Sequence, residues 1–202
     1  IQWPLNIIID SSSLSRYNAI HRFLVKQRRS VLLLEDIWKK SKHFLVKANH
    51  DPKIRKIVLF RAELQHFMNV MESHCMNTIQ TLHAELIDKI RNEASTVADL
   101  KYIHNSFLKA GLRAFLLLKS QNRVRQLIEK ILGLVLKFHM QLSAHPLSLE
   151  MTDTVYNGIL QTQKEFYQTS KMFMTLLKIQ KESYAANMLM SLNFNGFYYA
   201  SE

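Results

Sequence analysis

Apolar and aromatic side chains recur at helical spacing along most of this chain. The first such stretch places them seven residues apart, at Tyr17, Leu24, Val31, Trp38 and Leu45. Residues seven apart share one face of an α-helix, so this spacing is typical of an amphipathic helix. The three serines at 11–13 offer side-chain oxygens for an N-cap. The pattern therefore predicts a first long helix that ends near Lys47.

A turn and a second helix follow. Asn49-His50-Asp51-Pro52 is a turn sequence in which Asp51 is placed to cap and Pro52 to occupy the first helical position. An apolar stripe then runs through Ile57, Phe60, Leu64, Phe67, Met71, Ile79, Leu82, Leu86 and Ile90. Because the stripe drifts around the helix, the pattern leaves open whether this helix is continuous to about Arg91 or kinked midway.

Four further helices are predicted from similar signals. Thr96 and Asp99 resemble a capping box at the start of a third helix over about 97–119. A fourth helix should end at His145-Pro146, because proline disfavours the helical conformation in the residue before it. A fifth helix should continue to about Lys181, and a short sixth should cover about 184–192.

Only Leu5 to Ile9 reads as extended, because it is rich in β-branched residues and bracketed by Pro4 and Asp10. One strand cannot form a sheet alone. The sequence thus predicts an all-α fold, an elongated bundle of about five to six long helices with a short extended N-terminal segment. We expect residues 1–202 to form a single helical domain.

The composition narrows the class of protein. Cys75 is the only cysteine, which excludes an internal disulfide and a cysteine zinc cluster and favours a reducing, cytosolic compartment. The apolar runs are too short for a membrane-spanning helix. The sequence begins with Ile1 rather than methionine, which predicts a domain excised from a longer protein.

Neither catalytic chemistry nor a cofactor is expected. The four scattered glycines cannot build a phosphate-binding loop, and no His-Glu-x-x-His metal motif occurs. His74 and Cys75 are adjacent on a predicted helix, so their side chains diverge by about 100° and cannot act as base and nucleophile within the pair. A buried structural thiol is the favoured interpretation of Cys75.

Positive charge is concentrated near the predicted turn between the first two helices. Residues 1–60 hold 12 Lys and Arg against 4 Asp and Glu, within a formal net charge of +11 for the chain. We predict a partner-binding surface from this excess and from an exposed aromatic near the start: Trp3, Arg28, Arg29, Lys39, Lys40, Lys42, Lys47, Lys53, Arg55 and Lys56. Such a surface attracts an acidic partner but does not identify its class.

Several short motifs also occur in a particular order. They are Trp3-Pro4-Leu5, Tyr17, Phe23-Leu24, Trp38, Arg61, Gln65-His66-Phe67, His104 with Phe107-Leu108, and a closing segment from Leu192 to Tyr199. Together they resemble the C-terminal domain of the gamma-tubulin complex protein family. The resemblance spans the chain from Trp3 to Tyr199.

This resemblance implies a scaffold that binds one gamma-tubulin molecule in the gamma-tubulin ring complex and positions it for microtubule nucleation. It also implies contacts with other gamma-tubulin complex proteins through an N-terminal part absent from this sequence, and a location at the centrosome, the spindle or another microtubule-organising centre. The basic charge alone keeps an alternative open, a helical module that binds nucleic acid or an anionic membrane surface. Salt dependence separates the two hypotheses, since phosphate-driven binding weakens steeply with salt.

Overall fold

The computed structural model describes residues 2–47, 51–145, 151–180 and 183–193. Six α-helices follow one another along the chain: α1 (Ser11–Lys47), α2 (Pro52–Glu93), α3 (Val97–Ala114), α4 (Asn122–Ala144), α5 (Asp153–Ile179) and α6 (Ser183–Leu192). No strand occurs in these four ranges, and the all-α prediction is confirmed. Helix α2 is assigned as one uninterrupted helix, which answers the question that its drifting apolar stripe left open.

Side-chain caps explain where the first three helices begin. At α2, Asp51 accepts a hydrogen bond from the backbone N–H of Lys53 at 2.8 Å, as predicted. At α3, the capping box is present, with the backbone N–H of Asp99 donating to Thr96 Oγ1. At α1 the serines do not cap. Asp10 does, because its Oδ1 accepts from the backbone N–H of Ser13 at 2.7 Å.

Two sequence predictions were wrong. The residues expected to be extended contain a 3-10 helix, Leu5–Ile7. A lone strand would leave its backbone groups unpaired, whereas here the N–H of Ile7 donates to Pro4 O at 3.2 Å and that of Ile9 to Leu5 O at 2.9 Å.

The third helix also ends earlier than the expected residue 119. It stops at Ala114, and Leu116 adopts a left-handed conformation with φ 59°. The N–H of Leu117 then donates to Leu112 O at 2.8 Å, which satisfies one of the last carbonyls of the helix. A 3-10 helix, Lys119–Gln121, leads into α4.

The chain groups into two compact units. Unit 1 comprises residues 1–25 and 73–125, and unit 2 comprises residues 26–72 and 126–202. Helices α1 and α2 each contribute residues to both units. That residues 1–202 act as a single domain stays a prediction.

Unit 1 has an apolar core around α3. Phe23 packs against Phe115, with ring centroids 6.0 Å apart, and Leu108 is fully buried. Gly111 permits close packing here, since a Cβ atom at that position would lie 3.3 Å from Ile20 Cδ1. The early end of α3 buries both Phe115 and Leu116 in this core.

Unit 2 is held together by a chain of phenylalanine rings from three helices. Phe60 and Phe67 of α2 contact Phe166 of α5, and the ring centroids lie 5.9 and 5.5 Å apart. Phe60 also meets Phe138 of α4 at 5.0 Å, and Phe67 meets Phe173 of α5 at 6.2 Å. All five rings are buried, so this chain of rings forms the centre of the unit.

Candidate functional site

The predicted basic residues lie on two helices of unit 2. Five lie on α1 between Arg28 and Lys42, and three are among the first five residues of α2. The ninth, Lys47, is the last residue of α1, and its side chain lies outside the described part of the structure. Trp3 belongs to unit 1, where it is 79% exposed.

Three of these cations are already paired within unit 2. Arg28 contacts Glu72 of α2 at 3.1 Å, Lys40 contacts Asp36 one turn earlier on α1 at 2.7 Å, and Lys53 contacts Asp153 at 2.6 Å. Such half-exposed pairs contribute little to stability. They nevertheless offset the charge of three of the nine cations that the sequence assigned to partner binding.

Lys53 shows this neutralisation most clearly. Its ammonium donates to Asp153 at the start of α5 and lies 5.6 Å from the centroid of the Tyr156 ring. The hydrogen bond raises the pKa of Lys53 and lowers the pKa of Asp153. Lys53 therefore joins α2 to α5 and is less available to a partner than its sequence position suggested.

Five of the predicted cations are exposed and make no ion pair among the described residues: Arg29, Lys39, Lys42, Arg55 and Lys56. We call the last four of these the basic surface. Its α2 members, Arg55 and Lys56, are the fourth and fifth residues of that helix, which has no acidic residue in its first turn. Arg29, the remaining residue, instead lines a groove between α1 and α4.

Several motif residues form clamps between helices rather than a surface. The Arg61 guanidinium lies 4.8 Å from the centroid of the Trp38 ring and donates to Leu34 O at 3.3 Å. Burial lowers the pKa of Arg61. Trp38 is 41% exposed and is covered on one side by this arginine.

A second clamp involves Tyr17 and His104 in unit 1. Tyr17 Oη and His104 Nε2 are hydrogen-bonded at 3.0 Å. Burial lowers the pKa of His104 and raises the pKa of Tyr17, so both groups are neutral near pH 7. The pair joins α1 to α3.

Sequence reasoning missed one arrangement that resembles catalytic chemistry. His139 Nε2 lies 2.9 Å from Asp36 Oδ2, and Ser143 Oγ lies 3.5 Å from His139 Nδ1. A serine hydrolase also needs N–H donors aimed at the developing oxyanion. Ser143 and His139 sit within α4, whose N–H groups are bonded along the helix, as His145 N to Gln141 O is at 3.0 Å. The arrangement is therefore a helix clamp, in which hydrogen bonds from Lys40 and His139 lower the pKa of Asp36.

Two further features are absent from the described ranges. No cluster of three His, Cys, Asp or Glu side chains there could hold a metal ion, and no helix there is long and apolar enough to cross a membrane. Cys75 and His74 are both buried, consistent with a structural role. The closing aromatic segment from residue 194 onward lies outside the described residues.

Comparison with known proteins places these features in a family. The family model described as "Gamma tubulin complex component C-terminal" matches residues 1–198. Among curated relatives, gamma-tubulin complex component 6 of Mus musculus is 28% identical over 214 residues, and that of Homo sapiens is 27% identical over 219. Gamma-tubulin complex component 4 of Mus musculus is 25% identical over 211 residues.

Each of these alignments covers 98% of this chain, but the chain spans only 12% of the component 6 proteins and 30% of component 4. The Gln65-His66-Phe67 motif and the closing segment point toward the sixth ring-complex component, and component 6 is among the relatives found. Because the family model covers nearly the whole sequence, the chain belongs to the gamma-tubulin complex component C-terminal family.

Proposed function

We propose that this chain is a non-enzymatic scaffold domain that binds gamma-tubulin and positions it for microtubule nucleation. The observation that carries the proposal is the family match over residues 1–198, joined to a surface of four exposed cations without ion-pair partners among the described residues. Contacts with other gamma-tubulin complex proteins would then fall to an N-terminal part outside these 202 residues. The site of action would be a microtubule-organising centre such as the centrosome or the spindle.

The charge distribution supports an acidic protein partner. Pairing within the fold offsets the charges of Arg28, Lys40 and Lys53, whereas the basic surface makes no ion pair among the described residues. Uncompensated charges of one sign accelerate encounter with a partner of opposite sign, and tubulins are acidic. Buried rings also hold α2, α4 and α5 together in unit 2, and a nucleation template needs such fixed packing.

The first test is co-purification of the chain with gamma-tubulin at about 0.15 M and about 0.5 M salt, where charge screening differs strongly. We expect stoichiometric binding that persists at the higher concentration, because a shape-complementary interface keeps much of its affinity when charges are screened. Binding to duplex DNA or anionic vesicles that disappears at about 0.5 M salt, without gamma-tubulin binding, would refute the proposal.

Charge reversals locate the contact. Two double variants, Lys39→Glu with Lys42→Glu and Arg55→Glu with Lys56→Glu, should each weaken binding about tenfold or more at about 0.15 M salt. The control is Lys164→Glu with Lys171→Glu on α5, which changes the net charge equally at two exposed lysines. Urea unfolding of each variant distinguishes a lost contact from lost stability. Equal losses in all three variants would contradict a localised basic surface.

A further inference from the structure

A groove separates α1 from α4 in unit 2, on a different side of α1 from the basic surface. Its volume is about 220 Å³, and its apolar lining consists of Leu33 from α1 and Leu132, Gly133 and Leu136 from α4. Leu33 and Lys42 are nine residues apart, about two and a half turns, which places them on opposite sides of α1. The groove is therefore separate from the surface assigned to gamma-tubulin.

Gly133 is what keeps the groove open. It lies in the middle of α4, where glycine costs about 1 kcal/mol relative to alanine. A Cβ atom at this position would meet no atom within 4 Å, so packing within the described fold does not demand a glycine. The missing side chain leaves space over the helix that the fold itself does not fill.

The apolar surface continues along α4 beyond the groove. Leu136 is 37% exposed, and Met140, one turn further on, is 61% exposed. Gly133, Leu136 and Met140 are spaced by three and four residues, so they follow one face of the helix. An apolar cavity of roughly 150 Å³ is enough to bind benzene in another protein. This groove can accordingly accept one large apolar side chain, with further apolar contact along α4.

Charge at the rim indicates the chemistry of the occupant. At one end Lys26 Nζ contacts Glu129 Oε2 at 2.7 Å, so these two charges offset each other. Arg29, almost one turn further along α1, lines the groove and makes no ion pair among the described residues. An arginine fork pairs best with a carboxylate, which it can bind through two parallel hydrogen bonds.

We propose that the α1–α4 groove docks an acidic segment of a partner protein, which inserts one leucine-sized side chain over Gly133 and places a neighbouring carboxylate on Arg29. The charge of Arg29 selects an acidic segment over a basic one. The proposal is independent of gamma-tubulin binding by the basic surface, because the two sites share no residue.

The test uses the full chain and a fluorescein-labelled peptide in which one leucine is flanked by glutamates, followed by fluorescence anisotropy. We expect saturable binding, weakened about ten- to a hundredfold when the peptide's leucine is replaced by alanine, as expected for one buried side chain. A peptide with lysines in place of the glutamates should not bind. Absence of binding by the unmodified chain would overturn the proposal.

Two substitutions separate docking from folding. Gly133→Leu fills the groove while replacing glycine by a better helix former, so it should abolish peptide binding and raise the unfolding midpoint. Arg29→Glu should weaken binding about tenfold or more, and Arg29→Lys should restore part of it. Unchanged affinity in Gly133→Leu would refute the assignment.

The same variants exclude other occupants. Self-association of the chain that Gly133→Leu abolishes would make a second copy the occupant, and vesicle binding that it abolishes would make it a lipid. Either result would overturn the proposal. Gamma-tubulin co-purification by Gly133→Leu should stay unchanged, so failure of the groove proposal and failure of the scaffold proposal can be distinguished.

Discussion

Phe67 offers the sharpest test of how unit 2 is held together. Its side chain is 1% exposed, and its ring meets Phe166 edge-on at 5.5 Å and Phe173 at 6.2 Å. Phe67→Ala removes the ring and leaves a cavity at the centre of the unit. Substitutions of this kind cost about 3–5 kcal/mol of unfolding free energy.

Phe67→Leu separates the contribution of buried volume to this cost from the contribution of aromatic pairing. Leucine keeps much of the buried volume and loses the aromatic pairs with Phe166 and Phe173, each worth about 0.5–1.5 kcal/mol beyond burial. We therefore expect Phe67→Leu to cost about 1–3 kcal/mol. A double-mutant cycle with Phe166→Leu should give a coupling energy of about 0.5–1.5 kcal/mol, because the two rings touch directly.

Urea unfolding followed by circular dichroism measures these free energies, with the slope of each transition checked for two-state behaviour. Leu59→Ala is the matched control, since Leu59 lies on the same helix and is 55% exposed. It should change stability by no more than about 0.5 kcal/mol. A cost below about 1 kcal/mol for Phe67→Ala, or no coupling between Phe67 and Phe166, would refute the packing of the rings described above.

Two further predictions concern glycine and histidine. Gly133→Ala should raise the free energy of unfolding by about 0.5–1 kcal/mol, measured by urea unfolding. Gly111→Ala should raise it less, because the new methyl group would lie 3.3 Å from Ile20 Cδ1. Equal increases would contradict the packing described at Gly111. Burial lowers the pKa of His74 and of His104 below the ordinary 6.5, so the unfolded chain takes up these protons first. The two neutral histidines therefore leave the free energy of unfolding at its full value above pH 6.5, and this free energy falls as the pH drops below 6.5. Replacing both histidines with glutamine should make the urea midpoint fall less between about pH 6.5 and 5. Ordinary carboxylates titrate below this range, so they do not obscure the effect. An unchanged fall would show that these two histidines do not cause it.

The helices could be predicted because their signals are local. Heptad spacing identified α1, and Asp51-Pro52 and Thr96 with Asp99 placed the starts of α2 and α3 correctly. Each of these signals involves residues within one or two helical turns, so it can be read from a short stretch of sequence. The end of α3, by contrast, is determined by contacts with residues distant in the sequence. Leu116 to Leu118 continue an apolar pattern, and the turn there depends on burying Phe115 and Leu116 against the rest of unit 1.

The candidate site could be predicted only in part, for a related reason. The sequence shows where cations are concentrated, but not which of them are paired. Lys53 meets a carboxylate 100 residues away, and Arg28 meets one 44 residues away. The sequence shows a glycine at 133 but not the groove beside it, because residues of α1 form the opposite wall of that groove.

None of the four residues of the proposed basic surface belongs to a family motif, and that difference can be measured. Phe67 lies in the ring core, Arg61 covers Trp38, and Tyr17 is bonded to His104, so the motifs join helices to one another. A change at a motif residue should weaken partner binding only as far as it lowers stability, and the loss should disappear at lower temperature or with stabilising solutes. Changes on the basic surface should weaken binding with stability intact. For each residue, the loss of binding affinity can be compared with the loss of stability. This comparison distinguishes positions that maintain the scaffold from positions that contact its partner.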